Sequence, residues 1–327
     1  MDLKQVLEDK ASFFNKELEQ FLKNGKPPTL YNAARHLPMA GGKRLRPCIA
    51  MLSCEAVSGK IKNVMPYAIA LELLHNFTLV HDDIMDKSKL RRNMPSVHMK
   101  YGEPTAIMAG DLLFTKAFEA MHNLSLNLQI FKKLEYGMIN CIREICEGQQ
   151  LDIEFEIRND VTEQEYLEMI RKKTAVLFQL SSEGGALSCD GSKEVVNALS
   201  EYGESLGLAF QIQDDCLDIS SDEETLGKDI GNDIRNGKKT LIAVHCLNNA
   251  SGENKILLSK IFGNKNATNE EVKKIYKLFI EIGSVEYAKN AAIKYNEKAK
   301  NALSVLRNSN AKEALIQLAD YSIRREK

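Results

Sequence analysis

All seven prolines of the chain lie in its first third, at positions 27, 28, 38, 47, 66, 95 and 104. Because proline breaks a helix interior, the sequence from residue 105 to residue 327 can form long uninterrupted helices. Pro47, Pro66 and Pro104 precede apolar residues spaced three and four apart, so we expect each to occupy the first turn of a helix. The chain is therefore predicted to be all-α, a single domain over residues 1–327 in which long helices form a bundle around a central cavity.

The composition limits the partners and the compartment that we expect. The 44 Lys and Arg residues against 45 Asp and Glu leave a formal net charge of −1, which predicts no bulk attraction to nucleic acid. The N-terminus is charged from its second residue, and no run of about 18 apolar residues could span a bilayer, so we expect a soluble protein without a secretory signal.

The seven cysteines are odd in number and show no C-x-x-C spacing. We predict neither a disulfide framework nor a zinc site, and a reducing, cytoplasmic location.

The pattern D-D-x-x-D occurs twice, at residues 82–86 and 214–218, each time after an apolar segment that is predicted to be helical. Positions one and five of the pattern lie one helical turn apart on the same face, so each copy can grip one cation. Stacked carboxylates repel each other, and a helix C-terminus, where the first copy is expected, also disfavours anions. A solvated acidic helix end is therefore a poor explanation for two copies beside apolar residues. The candidate metal ligands are Asp82, Asp83, Asp86, Asp214, Asp215 and Asp218.

Carboxylates without a matching set of Cys or His ligands favour a hard cation such as Mg²⁺, which usually completes its shell with phosphate oxygens. Basic residues next to the acidic clusters support a substrate that carries phosphate. Residues 41–47, GGKRLRP, supply three cations, and Lys87, Lys89, Arg91 and Arg92 follow the first cluster. Arginine binds phosphate through two parallel hydrogen bonds, and lysine supplies a point charge. The sequence therefore predicts a magnesium-dependent diphosphate site.

Loops are predicted where Gly, Pro, Asn, Ser or charged residues cluster. These segments lie near residues 24–29, 37–43, 87–97, 157–162, 189–193, 220–239 and 248–254. The longest, 220–239, directly follows the second acidic cluster and is a candidate lid.

Eight motifs occur in order along the chain: GGKRLRP, LLHNFTLVHDDIMD, RRNMPSVH, GDLLF, GQQLD, KKTAVLFQLSSEGGAL, GLAFQIQDDCLDI and GKDIGNDIRNGKKT. With them, the chain from about residue 40 onward resembles the trans-isoprenyl diphosphate synthases, or polyprenyl synthetases, and within these the geranylgeranyl diphosphate synthases. The resemblance implies the isoprenoid synthase fold and a prenyltransferase that joins isopentenyl diphosphate to an allylic diphosphate (dimethylallyl, geranyl or farnesyl). It also implies Mg²⁺ as cofactor and a homodimer.

The resemblance also implies roles for the matching residues. The motif aspartates would bind the metal ions, with Asp83 and Asp215 as supporting residues. Thr174 and Gln211 would face the carbocation with their oxygens, and Lys173 would act beside them in catalysis. Isopentenyl diphosphate would be bound by Lys43, Arg46, His75 and Arg92. The allylic diphosphate would be held by Arg91, Lys173, Lys228 and Lys238.

Two positions depart from the family pattern. Asn93 stands where glycine usually follows the paired arginines, and because asparagine tolerates a left-handed backbone, we expect the turn to persist. Ser88 stands where an acidic residue is common, which removes one charge near the metal ligands.

Product length is predicted from distances along one helix. Thr78 and Phe77 precede Asp82 by about 6 Å and about 7.5 Å, at 1.5 Å per residue. A tail that grows away from the metal-bound diphosphate would pass these side chains and Leu74. In the family, farnesyl synthases commonly have aromatic residues at both positions, or a two-residue insertion in the first acidic motif. Only Phe77 is aromatic here and the motif has no insertion, a pattern that resembles geranylgeranyl synthases.

Other functions compete with this interpretation. The product could instead be farnesyl diphosphate or a longer polyprenyl diphosphate, and the chain could be a non-catalytic subunit of a heteromeric synthase. Terpene cyclases share the fold but have no use for an isopentenyl site. Two E-x-x-H pairs, Glu72 with His75 and Glu119 with His122, match the ligand pattern of di-iron carboxylate bundles.

Overall fold

The computed structural model describes residues 2–57, 59–220 and 230–324, and of residues 218–220, 230 and 232 the backbone alone. The first half contains helices α1 (Leu3–Phe21), α2 (Pro28–Met39), α3 (Leu45–Ala56), α4 (Ile61–Met85), α5 (Val97–Tyr101), α6 (Glu103–Met121) and α7 (Leu128–Ile157). After them come α8 (Glu163–Ile170), a π-helix (Arg171–Ala175), α9 (Val176–Leu187), α10 (Lys193–Ser220) and α11 (Ile230–Asn236). The last elements are α12 (Leu241–Asn249), α13 (Gly252–Ile261), α14 (Asn269–Glu281), α15 (Ser284–Ala302), a 3-10 turn (Leu303–Val305) and α16 (Asn310–Arg324). The predicted all-α class is confirmed.

The chain divides into two compact units. The first unit comprises Met1–Ile139, Leu180–Ser200 and Leu303–Gln317, and the second comprises Asn140–Gln179, Glu201–Ala302 and Leu318–Lys327. That the whole chain forms one domain remains a prediction.

Helix α4 is the centre of the first unit, where it packs against α1, α2, α3, α5 and α6. Most of its side chains from Val64 to Val80 are buried, as expected for a helix that is apolar on all sides. The second unit has its own core, in which Phe155, Tyr166, Ile212 and Ile242 are almost fully buried. No helix among the described residues is both long enough and apolar enough to cross a membrane.

Two of the three proline predictions are confirmed. Pro47 and Pro104 lie in the first turns of α3 and α6. The prediction for Pro66 is wrong, because α4 begins one turn earlier, at Ile61, and places Pro66 inside the helix. Val64 and Met65 are buried in that added turn, and their apolar burial offsets the single backbone hydrogen bond that proline removes.

Several predicted loops contain helix or strand, among them 248–254, where α12 ends at Asn249 and α13 begins at Gly252. Helix α2 continues through Met39 into the segment predicted as 37–43. The segment 87–97 contains an antiparallel pair of short strands, β1 (Leu90–Arg91) and β2 (Met94–Pro95). Helix α11 lies within the predicted lid, 220–239, of which residues 221–229 fall outside the described part of the chain.

The prediction of no disulfide is also wrong. Cys54 and Cys189 are bonded in the first unit, with their Cα atoms 5.5 Å apart. They are separated by 135 residues, so no local cysteine spacing indicated the pair. A side chain on Gly59 would overlap both cysteines, so glycine is needed beside this bond.

Candidate active site

The first acidic cluster lies at the C-terminus of α4, as predicted. The helix ends at Met85, and the amide of its capping residue, Asp86, donates to the Asp82 carbonyl over 2.8 Å. The two residues are therefore one turn apart. Asp82 is half-buried and Asp86 is exposed, so both ends of the motif are near solvent.

Asp83 is buried, and Arg91 holds it in place. The Nε and Nη2 atoms of Arg91 donate to Asp83 Oδ1 over 2.9 and 2.6 Å. The second oxygen, Oδ2, is buried and accepts no hydrogen bond from the described residues. Arg91, which was predicted to hold the allylic diphosphate, thus joins the first acidic cluster through strand β1.

A two-residue turn connects β1 to β2 and orients the second arginine. Arg92 and Asn93 have φ angles of 54° and 60°, as a type I′ hairpin turn requires. The prediction that Asn93 would preserve the turn is therefore confirmed. Arg92 Nη1 donates to the carbonyls of Leu37 and Gly41, the former over 3.1 Å, so the hairpin holds the end of α2 and the first residue of GGKRLRP.

The GGKRLRP segment places Arg46 beside His75. Arg46 lies in the first turn of α3, and its Nη1 is 3.4 Å from His75 Nε2 on α4. Desolvation of the imidazole, together with Arg46, Arg92, Arg91 and Arg44, holds the pKa of His75 well below its usual value. The ring is therefore neutral at physiological pH and can accept a hydrogen bond from the Arg46 guanidinium.

Arg44, the middle cation of the segment, is buried, and its guanidinium is bound by other parts of the protein. Its guanidinium and the Glu72 carboxylate form an ion pair of 2.5 Å, with both side chains only 2% exposed. The same pair argues against the di-iron alternative, because Glu72 Oε1 accepts hydrogen bonds from both Arg44 and Asn76. In the second E-x-x-H pair, Glu119 is on the surface with Lys116, 2.7 Å away, and His122 packs on the ring of Phe131.

The second acidic cluster lies on α10, where Asp214 is half-buried and Asp215 is buried. Tyr166 donates its hydroxyl to Asp215 Oδ2 over 2.7 Å, and Gln211 Nε2 donates to Oδ1 over 2.9 Å. Desolvation raises the pKa of Asp215 to about 7, although Lys238 and both hydrogen bonds oppose the rise. The Asp218 backbone lies one turn further along α10, and its side chain is outside the described part.

A π-helix positions Lys173 and Thr174 in the second unit. A capping box between Thr162 and Glu165 starts α8, which leads directly into this segment. Thr174 Oγ1 donates to Gln211 Oε1 over 2.9 Å, and Lys173 Nζ lies 2.5 Å from Asp152 Oδ2. Isolated π-helical turns are frequent at functional sites because they shift side chains out of the regular helical register.

Close packing accompanies this turn. A Cβ atom on Gly148 of α7 would overlap the backbone nitrogen of Lys173. Glycine at this position therefore permits the contact between α7 and the π-helix.

One pocket of the second unit contains two of the four residues predicted to hold the allylic diphosphate, Lys173 and Lys238, together with the predicted Thr174, Gln211 and Asp215. Its lining is Asp152, Tyr166, Met169, Ile170, Lys173, Thr174, Gln211, Asp215, Lys238, Lys239 and Thr240. The predicted Lys228 falls outside the described residues. Sequence reasoning missed Asp152 and Tyr166: the first belongs to the motif GQQLD, whereas no motif pointed to the second.

The residues predicted to limit chain length lie along α4. Leu74 is fully buried, and Phe77 and Thr78 are half-buried. The Thr78 hydroxyl donates to the His75 carbonyl over 2.8 Å. Phe77 packs on Phe114 of α6, so α6 forms part of the same wall.

The acidic clusters suit a divalent cation that takes further ligands from elsewhere. Within residues 2–57, 59–220 and 230–324, no three His, Cys, Asp or Glu side chains are close enough together to hold an ion alone. The donors present are carboxylate oxygens, and the buried Asp83 Oδ2 accepts no hydrogen bond within that part of the chain. Such a donor set fits a hard ion that completes its shell with phosphate and water.

Comparison with known proteins establishes the class. The sequence model of the family Polyprenyl synthetase matches residues 27–279, so the chain belongs to that family. It is a prenyltransferase of the prenyl diphosphate synthase type.

Individual relatives and solved structures agree with this class. The chain is 45% identical to "Geranylgeranyl diphosphate synthase" of Methanosarcina mazei, over 100% of this chain and 99% of the relative. It is 43% identical to "Short chain isoprenyl diphosphate synthase" of Methanothermobacter thermautotrophicus, over 100% and 99%. The geranylgeranyl pyrophosphate synthetase structure from Pyrococcus horikoshii matches with a TM-score of 0.92 and 41% identity, covering 99% of this chain and 98% of that one. A polyprenyl synthase from Caulobacter crescentus, complexed with calcium and isoprenyl diphosphate, matches with a TM-score of 0.90 and 32% identity, covering 99% and 97%.

Proposed function

We propose that the protein condenses an allylic diphosphate (dimethylallyl, geranyl or farnesyl) head to tail with isopentenyl diphosphate, with Mg²⁺ as cofactor, and that its main product is geranylgeranyl diphosphate. The observation that carries the proposal is the pocket in which Lys173, Thr174, Gln211 and Lys238 lie with Asp215 of the second acidic motif. Cations, a carboxylate and neutral oxygens are the groups that ionisation of an allylic diphosphate requires.

The aspartates have two roles in this proposal. Asp82, Asp86, Asp214 and Asp218 would hold the ions, and bound Mg²⁺ supplies positive charge for the leaving diphosphate. Asp83 and Asp215 are supporting residues, because each is buried and already accepts hydrogen bonds, from Arg91 and from Tyr166 and Gln211 respectively.

The allylic carbon–oxygen bond breaks first, which releases diphosphate and forms an allylic cation. Arg91, Lys173, Lys228 and Lys238 would stabilise the departing anion. The Gln211 amide N–H donates a hydrogen bond to Asp215, so the Gln211 amide oxygen is directed to Thr174. Two neutral oxygens, Gln211 Oε1 and Thr174 Oγ1, are thereby held 2.9 Å apart, where they can face developing positive charge.

The double bond of isopentenyl diphosphate then attacks the cation, and the departing diphosphate accepts the proton that is lost. Lys43, Arg46, His75 and Arg92 would bind the diphosphate of this second substrate. Neutral His75 serves as an acceptor that orients the Arg46 guanidinium. No protein nucleophile takes part, and water must be kept from the cation, which gives the 220–239 segment its proposed role as a lid.

The product assignment depends on the wall beside α4. Phe77 presents a ring there and Thr78 a small side chain, so a C20 tail would be stopped at Phe77. A farnesyl or longer-chain synthase is the alternative, and one relative, from Natronomonas pharaonis, is named "Geranylfarnesyl diphosphate synthase". Chromatography of the dephosphorylated products separates these outcomes, and farnesol as the main alcohol would overturn the assignment.

Activity of the purified chain tests the rest. Incubation with isopentenyl and farnesyl diphosphates should release diphosphate with Mg²⁺ and not after chelation with EDTA. A non-catalytic subunit would give no product alone under either condition. Regaining activity only when a second, different subunit is added would support that alternative.

We also propose a homodimer. Large apolar side chains are exposed on α6 and in the first half of α7: Ile107 is 43% exposed, Met108 50%, Tyr136 66% and Ile139 50%. A second copy of the chain would cover such a surface in a two-fold interface. Light scattering of the wild-type protein should give twice the mass of one chain. The double variant Ile107→Asp/Ile139→Asp should give the mass of a single chain. A wild-type monomer at micromolar concentration would contradict the proposal.

A further inference from the structure

We propose that the buried Arg44–Glu72 ion pair is a positioning device for the isopentenyl diphosphate site. It fixes the segment between α2 and α3 so that Lys43 and Arg46 are held for substrate. The inference rests on the proposed function, since it assigns new residues to the same site. Neither Arg44 nor Glu72 would touch substrate, because both are almost fully buried.

The Arg44 guanidinium is held by three elements at once. Its Nε donates to Asn15 Oδ1 on α1 over 2.9 Å, its Nη2 to the Pro38 carbonyl on α2 over 2.5 Å, and its Nη1 to Glu72 on α4 over 2.5 Å. Its own backbone caps α3. One side chain therefore joins the ends of α2 and α3 to the two helices beneath them.

The segment needs such an anchor because its own backbone supplies little rigidity. Gly41 and Gly42 have φ angles of 91° and 129°, and Arg44 itself is left-handed at 51°. Glycine adopts positive φ angles readily but also leaves the backbone many other conformations. A residue other than glycine adopts them only when contacts with its surroundings stabilise that conformation. The buried contacts of the Arg44 side chain stabilise this left-handed backbone conformation.

The anchor acts directly on substrate-binding residues. Lys43 is the neighbour of Arg44 and is exposed, and Arg46 follows two residues later beside His75. Glu72 lies one helical turn before His75 on α4. Asn76 donates to the Glu72 carboxylate over 3.0 Å and fixes its position. The pair thus sets the position of the segment relative to the helix that carries His75.

Stability alone is a poor reason for this pair. Two charges lose their hydration when buried, and apolar side chains of similar size often stabilise a fold as well or better. What the pair supplies is a single orientation, through hydrogen bonds in fixed directions.

The experiment compares Arg44→Met, Glu72→Gln and the double variant Arg44→Met/Glu72→Met. Each single change leaves one buried charge without its counter-charge and should lower the melting temperature. The double change removes both charges and should restore most of it. In all three, the KM for isopentenyl diphosphate should rise by about tenfold, as expected when one charge-assisted contact is lost, while the KM for farnesyl diphosphate changes by less than about twofold.

Two further variants sharpen the test. Arg44→Lys keeps a cation for Glu72 but cannot bond Asn15 and Pro38 as well, so it should fold and still show the raised KM for isopentenyl diphosphate. The pair Lys10–Glu55, 2.6 Å apart between α1 and α3, is the matched control. Lys10→Met should affect the melting temperature without selectively changing either KM.

Recovery of both melting temperature and isopentenyl KM in the double variant would reduce the pair to a structural role and overturn the inference. An equal rise of both KM values would do the same. If the wild-type protein makes no prenyl product, the proposed function fails. If it is active and the Arg44 and Glu72 variants retain normal isopentenyl kinetics, the positioning inference alone fails.

Discussion

The ring of Phe77 on α4 packs against the ring of Phe114 on α6, with centroids 5.4 Å apart and planes inclined by 58°. The two helices run antiparallel, because His81, one turn nearer the aspartates, meets the Ile107 carbonyl at the start of α6. They also approach closely, since a side chain on Gly110 would overlap His81. Removal of the Phe77 ring would therefore open a space between α4 and α6. It would not merely expose α4 to solvent.

The first prediction is that Phe77→Ser lengthens the product beyond C20. The smaller side chain leaves room for further isoprene units beside Phe114. Chromatography of the dephosphorylated products measures the shift. An unchanged product would remove Phe77 as the stop.

Phe118 supplies the matched control for this substitution. Its ring packs on Phe114, 5.4 Å between centroids, one turn further from the aspartates. Phe118→Ser makes the same chemical change deeper along the wall, where Phe77 would still block the tail. Product length should stay at C20 in this variant, and the double variant should give longer chains than Phe77→Ser.

A second prediction concerns the outer aspartates. Asp82→Ala or Asp214→Ala should lower kcat by at least about a hundredfold, because a ligand of the proposed metal ions stabilises the transition state by several kcal/mol. Both residues are only half-buried, so circular dichroism should show an intact helical fold. Asp111→Ala, at a carboxylate that is 67% exposed on α6, is the control. Near-normal turnover in either test variant would refute the metal assignment.

The second acidic motif shows what local sequence could predict. The placement of Asp214 and Asp215 on a helix followed from apolar spacing, which reports the face that each residue occupies. Tyr166 meets Asp215 from 49 residues away, and Arg44 meets Glu72 from 28. Such pairings arise from helix packing, so no local pattern could reveal them.

The position of Pro66 has a similar explanation. Burial of Val64 and Met65 extends α4 by one turn at its N-terminus, so Pro66 lies inside the helix and not in its first turn.

The π-helix illustrates a second limit. Residues 171–175 have ordinary helical composition, and their backbone packs closely on Gly148 of α7. A single-sequence pattern does not distinguish an i to i+4 from an i to i+5 hydrogen bond. Lys173 and Thr174 were therefore predicted as site residues from the family resemblance, without the turn that positions them.

The third prediction separates the two diphosphate sites. Lys43→Ala or Arg46→Ala should raise the KM for isopentenyl diphosphate by about tenfold or more, and Lys238→Ala should do so for the allylic substrate, because charge-assisted contacts act locally. Steady-state kinetics with each substrate varied in turn measures the difference. Lys62→Ala, at an exposed lysine of α4, should change neither value. Equal effects on both substrates would argue against separate sites.

A fourth prediction tests the contact beneath the π-helix. Gly148→Ala would force α7 away from the Lys173 amide and displace Lys173 and Thr174, so kcat should fall by about tenfold to a hundredfold. Gly137→Ala on the same helix is the control, because its Cβ would lie 3.0 Å from a flexible Leu180 methyl. That change should cost little activity. Comparable kcat values in the two variants would show that the Gly148 contact does not position the site.

The last prediction is a pH dependence of stability that originates at His75. Its pKa is held well below the usual value by desolvation and by the arginines around it, so the folded protein keeps the ring neutral. The unfolded chain takes up a proton as pH falls below about 6.5, and this uptake favours unfolding. His75 therefore costs stability below that pH, by up to about 1.4 kcal/mol per pH unit.

His75→Gln removes this proton while retaining a neutral hydrogen-bond acceptor for Arg46. The wild-type melting temperature should fall more steeply between pH 7 and pH 5 than that of the variant. His122→Gln, the same change at an exposed position, controls for the loss of one histidine. Parallel plots of melting temperature against pH for wild type and His75→Gln would mean that the imidazole takes up its proton over the same pH range in the folded and the unfolded chain. In that case desolvation and the surrounding arginines would not lower the pKa of His75, and below about pH 6.5 Arg46 would face a cation in the folded protein.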